Sequence, residues 1–246
     1  MADAVTALSA ALNNDMQAMR TVAQNLANIS TNGYKREVAY AGSFDQVLAQ
    51  PLERGGSEAL ALAQAPVLST VIDMQQGALK FTGSAFDVSL QGDGFLTVET
   101  TEGVRYTRQG NMQIDSQGRL ALEGQGAVLG ESGAIYLRSG PFEIDSTGLV
   151  RQEGVDLDRL NLVDFENPAA LDYQGAGLFA EGRSGGLVKG DFEGQVMQGY
   201  IETSNVKSMD EIVKMVEITR HFQTTHKVLQ GYDGMLDKAI NVLGDL

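Results

Sequence analysis

The chain is expected to be α+β, with long N- and C-terminal α-helices paired as a coiled coil and flanking a central antiparallel β-rich domain. Three observations predict this. Apolar residues recur at three-four spacing near the N-terminus, they do so again near the C-terminus, and between the two lie short alternating runs separated by glycine turns. The expected organisation is a helix over 1–33, an extended linker with short strands over 34–80, a β-rich domain over 81–204 and a second helix over 205–246.

In the first helix Val5, Leu8, Leu12, Met19, Val22, Leu26 and Ile29 form a narrow apolar stripe, interrupted by Asp15. Its expected stop is Asn32-Gly33, because glycine closes a helix C-terminus in the left-handed conformation without steric cost. The second stripe runs Met215, Ile218, Phe222, Thr225, Leu229, Tyr232, Leu236, Ala239, Leu243 and Leu246, with Ser208 and Glu211 placed as a capping box ahead of it. Helices of this length cannot bury such stripes alone. Each needs a partner helix, either the other terminus in a hairpin or further copies of the chain in a bundle.

In the middle, Phe86, Val88 and Leu90 precede Gly92-Asp93-Gly94, and Leu96 and Val98 follow it, which reads as a hairpin. "QGNMQIDSQGRLALEG" from Gln109 and "SGPFEIDSTGLVRQEG" from Ser139 echo each other at a constant offset, with Asp115 and Asp145, Ser116 and Ser146, and Gly118 and Gly148 in equivalent places. Each copy predicts a tight turn in which Asp or Ser bonds to the backbone and Gly takes positive φ. Residues 37–80 show no stable period.

Composition narrows the function classes. A formal charge of −14 argues against nucleic acid as a partner. No apolar run is long enough to span a bilayer, so membrane insertion is not expected, and acidic Asp3 sits where a cleaved signal peptide would carry positive charge. With no cysteine there are no disulfides, thiolate nucleophiles or thiolate metal sites.

Little else points to chemistry. His221 and His226 are five apart on a helix and face different ways, and Glu217 with His221 reads as an ordinary helical pair. "QGDGFL" lacks the rest of a phosphate-binding motif, and no serine lies in a G-x-S-x-G elbow. Asp115 and Asp145 could be imagined as a glycan-cleaving pair in a cell-surface β domain clasped by helices, but turn roles explain them more simply. No catalytic residue, metal site or cofactor is expected, and the chain does not read as an enzyme.

Both ends resemble one family. "NLANISTNGYKR" (Asn25 to Arg36) is similar to the N-terminal signature of the flagellar basal-body rod and hook family, and "VMQGYIETSNVKSMDEIVKMVEITRHFQTTHKVLQGYDGMLDKAINVLG" (Val196 to Gly244) to its C-terminal segment. "DVSLQGDGFLTVE" and "YTRQGNMQIDSQGRL" resemble the family's β domain, with Leu96 where a second aromatic is common. The resemblance is weakest over 40–75, and within the family a proximal-rod member is the better match, a distal-rod member the close competitor.

The resemblance implies an axial flagellar subunit whose terminal helices form a tube around the export channel, with the β domain outside. It implies export without a cleaved signal peptide through the flagellar type III apparatus, and assembly in the periplasmic space with other copies of the chain and neighbouring proximal and distal rod subunits. The residues expected to form the assembly seam are Leu8, Leu12, Val22 and Leu26 with Ile218, Phe222, Leu229, Tyr232 and Leu236. Asn25, Asn28, Thr31, Asn32 and Gly33 are expected to form the junction where the helix ends, and Gly33→Val to spare the β domain while impairing assembly.

Overall fold

The computed structural model describes residues 2–41, 68–182 and 188–244. The chain forms two units, one from Met1–Ala27, Glu37–Val71 and Lys207–Leu246, the other from Asn28–Arg36 and Ile72–Val206.

The first unit is built on two helices, α1 (Ala2–Ala27) and α2 (Ser208–Gly244), which lie against each other. Asn25 meets Glu211, Met19 meets Thr219 and Asp15 meets His221, so α1 descends as α2 ascends and the pair is antiparallel. Val22, Thr21 and Thr225 are buried, whereas Leu8, Leu12, Leu26, Ile218, Phe222, Leu229 and Tyr232 are only half-buried. Leu236 lies in α2, but its side chain and Leu246 fall outside the described residues. Apolar side chains beyond this contact stay in solvent, including Met209, Val213, Val216, Val228 and Met235. A short two-stranded ribbon, Glu37–Ala41 with Leu68–Ile72, accompanies the helices, and residues 42–67 lie outside the described residues.

α1 ends at Ala27, earlier than the expected stop at Asn32-Gly33. The polar run explains the difference. Asn28 and Thr31 bond to each other through side chains and through Thr31 N–H to Asn28 O at 3.0 Å, so the backbone leaves the helix in favour of local turns.

In the second unit, strand Phe95–Thr100 is central and pairs with Gly103–Thr107, Gly126–Gly130 and Leu162–Phe165. Its side chains serve both faces. Leu96 and Val98 enter a cluster with Val88, Leu90, Leu120, Leu122, Val128 and Val150, while Phe95 faces a second cluster with Tyr106, Phe165 and Phe179. Four consecutive buried residues, Phe95 to Val98, are the signature of a strand covered on both sides.

The expected hairpin across Gly92-Asp93-Gly94 does not form. Val88–Gln91 pairs instead with Gln195–Gln198, far away in sequence, and the hairpin lies one turn later, where Gly103 at φ +110° joins Phe95–Thr100 to Gly103–Thr107. The glycines have another purpose. A Cβ on Gly94 or Gly194 would strike the ring of Phe192, which fills the space that these residues leave.

The repeated turns are present as expected. In the first, Asp115 Oδ1 accepts from Gln117 N at 2.8 Å and Arg119 N at 2.9 Å; in the second, Asp145 Oδ1 accepts from Thr147 N at 2.8 Å and Leu149 N at 3.1 Å. Gly118 and Gly148 close them at φ +80° and +84°. The N–H from Arg119 is the main reason the Asp115 carboxyl is held below the usual range, and the Thr147 hydroxyl that for Asp145. A lowered folded-state pKa contributes stability that is complete above the ordinary carboxylate value and lost as pH falls through the folded one. The double variant Asp115→Asn/Asp145→Asn is therefore expected to lose stability less steeply than the native chain below about pH 4, as read by denaturant unfolding at a series of pH values.

Candidate functional site: two buried clasps

Two residues of the family-like N-terminal motif, Asn25 and Lys35, stand in two buried polar clasps, one in each unit. In the helical unit the centre is Asn25, 1% exposed, on the last turn of α1. Its amide donates to Glu37 O at 2.7 Å and to Glu211 Oε2 at 3.2 Å, and its Oδ1 accepts from Glu37 N at 2.8 Å. One asparagine thus ties the end of α1 to the start of the ribbon and to the first turn of α2. Glu211 is itself buried and has Lys214 Nζ 3.8 Å away. An amide suits this place because it both donates and accepts. Burial also holds the Glu37 carboxyl above its ordinary range.

In the β unit the clasp is ionic. Lys35 follows the tight turn at Gly33, and its Nζ donates to Glu202 Oε1 at 2.7 Å, Gln75 O at 2.9 Å and Met74 O at 3.4 Å. Glu202 Oε1 also accepts from Gly77 N at 2.9 Å, and its Oε2 stands 3.6 Å from Arg108 Nη1. All three charged side chains are at most 3% exposed. Arg108 lies over the Phe95 ring at 4.9 Å, and its Nε and Nη1 have no hydrogen-bond partner among the described residues.

Burial lowers the pKa of Lys35, with Glu202 pulling it back, and acts likewise on Arg108, where Asp93 and Asp164 add to the pull of Glu202. Because the folded chain then releases the Lys35 proton at lower pH than the unfolded one, charging Lys35 is a cost, present at neutral pH and relieved as pH rises toward the ordinary lysine range.

Backbone bonds complete the arrangement. Gly33 N donates to Glu202 O at 2.8 Å, Arg36 N to Asn205 Oδ1 at 2.7 Å, and the Asn205 amide to Asp73 O and Gln75 O at 2.8 and 2.9 Å. Gly33 has φ +67°, and a Cβ there would lie 2.6 Å from the backbone carbonyl of Arg108. This changes the expectation for Gly33→Val, since Gly33 belongs to the β unit and its substitution damages that unit directly.

The structure thus separates the expected junction residues. Asn25 acts in one unit, while Asn28, Thr31, Asn32 and Gly33 lie in the turn of the other. Sequence reasoning missed Lys35, Glu37, Arg108, Glu202, Asn205 and Glu211 as partners; the one available signal was that all of them but Glu37 stand inside the family-like motifs. His221 does not pair with Glu217 as expected. Its Nδ1 lies 2.8 Å from Asp15 on α1, while His226 stacks on Phe222. Among the described residues no group of three or more His, Cys, Asp or Glu could hold a metal ion, and no helix is long and apolar enough to cross a membrane. Asp115 and Asp145 are committed to their turns.

Comparison with known proteins reaches residues of both clasps. Residues 197–242 match the family description "Flagellar basal body rod FlgEFG protein C-terminal", and residues 89–131 match "Flagellar hook protein FlgE/F/G D1 domain". The first region contains Glu202, Asn205 and Glu211, the second Arg108. Similar whole chains include the flagellar basal-body rod protein FlgG of Buchnera aphidicola subsp. Schizaphis graminum, 31% identical over 89% of this chain and 92% of the relative. The rod protein FlgF of Rhizobium meliloti is 30% identical over 97% of this chain and 98% of the relative, and FlgF of Salmonella typhimurium 29% identical over 93% and 92%. On this similarity along nearly its whole length, the chain belongs to the flagellar basal-body rod protein family, whose members are structural subunits and not enzymes.

Proposed function

We propose that the chain is a proximal-rod subunit, equivalent to FlgF, whose terminal helices associate as coiled coils with other copies and with neighbouring proximal and distal rod subunits to build the hollow axial shaft. The shaft transmits torque and surrounds the export channel. The subunit crosses the type III export apparatus in transit, keeps its N-terminus, and is assembled within the periplasmic space.

The observation that carries this reading is the incomplete burial of the helical seam. Pairing α1 with α2 buries Val22 and Thr225 but leaves Leu8, Leu12, Ile218 and Phe222 half-covered, with Val213, Val216 and Val228 in solvent. Helices in that condition gain most of their stability from further packing partners. The near end-to-end match to the Rhizobium meliloti FlgF supports the proximal assignment, and the FlgG relatives of similar identity keep a distal-rod role as the alternative.

The absence of native cysteine allows a direct test. With Val216→Cys and a thiol cross-linker applied to isolated basal bodies, adducts with proximal-rod subunits and with a second copy are expected. Adducts with distal-rod subunits alone would move the chain to the distal rod.

A further inference from the structure

Three segments of the β unit adjoin points where the chain passes into the other unit: Gly33–Arg36 before Glu37, Asp73–Gly77 after Val71, and Glu202–Asn205 before Lys207. All three meet at the same few polar groups. Lys35 Nζ reaches the second and third segments, Glu202 Oε1 joins the first and second, and Asn205 bonds to all but its own. These polar bonds tie the segments to one another in addition to the apolar packing of Ile72 and Met74 against the second cluster.

We infer that Lys35 and Glu202 are positioning residues for rod assembly: they fix the spacing at which the three segments leave the β unit. This rests on the rod reading above. Arg108 has a different part. It forms a 3.6 Å ion pair with Glu202 and lies over Phe95, but its Nε and Nη1 donate no hydrogen bond, and it makes none of the bonds described above that join one segment to another.

The chemistry separates the two cations. Lys35→Met deletes three bonds to the segments yet leaves Glu202 facing Arg108 as a one-to-one buried pair, so no buried carboxylate is left without a cation. Arg108→Met leaves the Lys35–Glu202 pair, also one-to-one, with every segment bond intact.

The test uses full-length chain, supplied to cells lacking their own copy and purified for hydrogen exchange and thermal unfolding. Both variants are expected to melt close to the native chain. Lys35→Met is expected to raise amide exchange in Asp73–Gly77 at least tenfold and to cut the number of complete rods by a similar factor, whereas Arg108→Met changes neither. The inference is overturned if Lys35→Met assembles rods as the native chain does, if both variants fail equally, or if Lys35→Met fails to fold while Arg108→Met folds, since the pair would then be holding up the β unit itself. Failure of the rod reading looks different: cells lacking the chain altogether would build normal rods.

Discussion

Valine at position 33 is expected to destabilise the β unit by about 3–5 kcal/mol, the sum of two independent costs. The first is conformational, because a β-branched residue at φ +67° occupies a region that such residues avoid. The second is steric, because the new Cβ would sit 2.6 Å from the backbone of Arg108, and backbone cannot swing aside as a long side chain can. A second glycine separates them. Gly124 has nearly the same φ, +69°, with nothing within 4 Å of an added Cβ. Gly124→Ala is therefore expected to cost only about 1 kcal/mol, and Gly33→Ala more than twice that, in urea unfolding of the full chain. Equal costs at the two positions would mean that the close approach at Arg108 does not constrain the turn.

Leucine in place of Asn25 is expected to cost the helical unit about 2–4 kcal/mol, although the two side chains are similar in size. The substitution removes a donor from the buried Glu211 carboxylate and both partners that Asn25 gives the Glu37 backbone. Asn25→Asp should be at least as damaging at neutral pH. It keeps an acceptor for Glu37 N but brings a second carboxylate against Glu211 and against the Glu37 carbonyl, where only a donor fits. Far-UV circular dichroism during thermal unfolding checks this, with helix lost at lower temperature in both variants; native-like melting of Asn25→Leu would show that the amide is dispensable.

How much could be read beforehand depended on the range of the interactions. The second helix appears where the three-four spacing put it, because Ser208 to Gly244 is set by local periodicity. The two Asp-centred turns were equally legible, since Asp115 and Asp145 bond within four residues of themselves. The failure at Gly92-Asp93-Gly94 is long-range in origin. Phe192 and strand Gln195–Gln198 claim that loop and Val88–Gln91, and nothing near residue 92 announces partners a hundred residues away. The clasps were hidden for the same reason. Lys35 and Glu202 are 167 positions apart and Asn25 and Glu211 186 apart, and a charged residue beside a turn reads as solvated until its partner is placed. The helical seam was legible as a pattern, but periodicity does not say how many helices cover it, and one antiparallel contact leaves it half-bare.

The most direct measurement is the composition of purified basal bodies from cells expressing either the full chain or a version lacking residues 1–27 to the same level. A rod subunit assembled through its terminal helices should co-purify as the full chain and be missing as the truncated one, with rods incomplete in the second strain. Recovery of the truncated chain in amounts equal to the full one, or absence of the full chain from intact rods, would contradict assembly through the terminal helices.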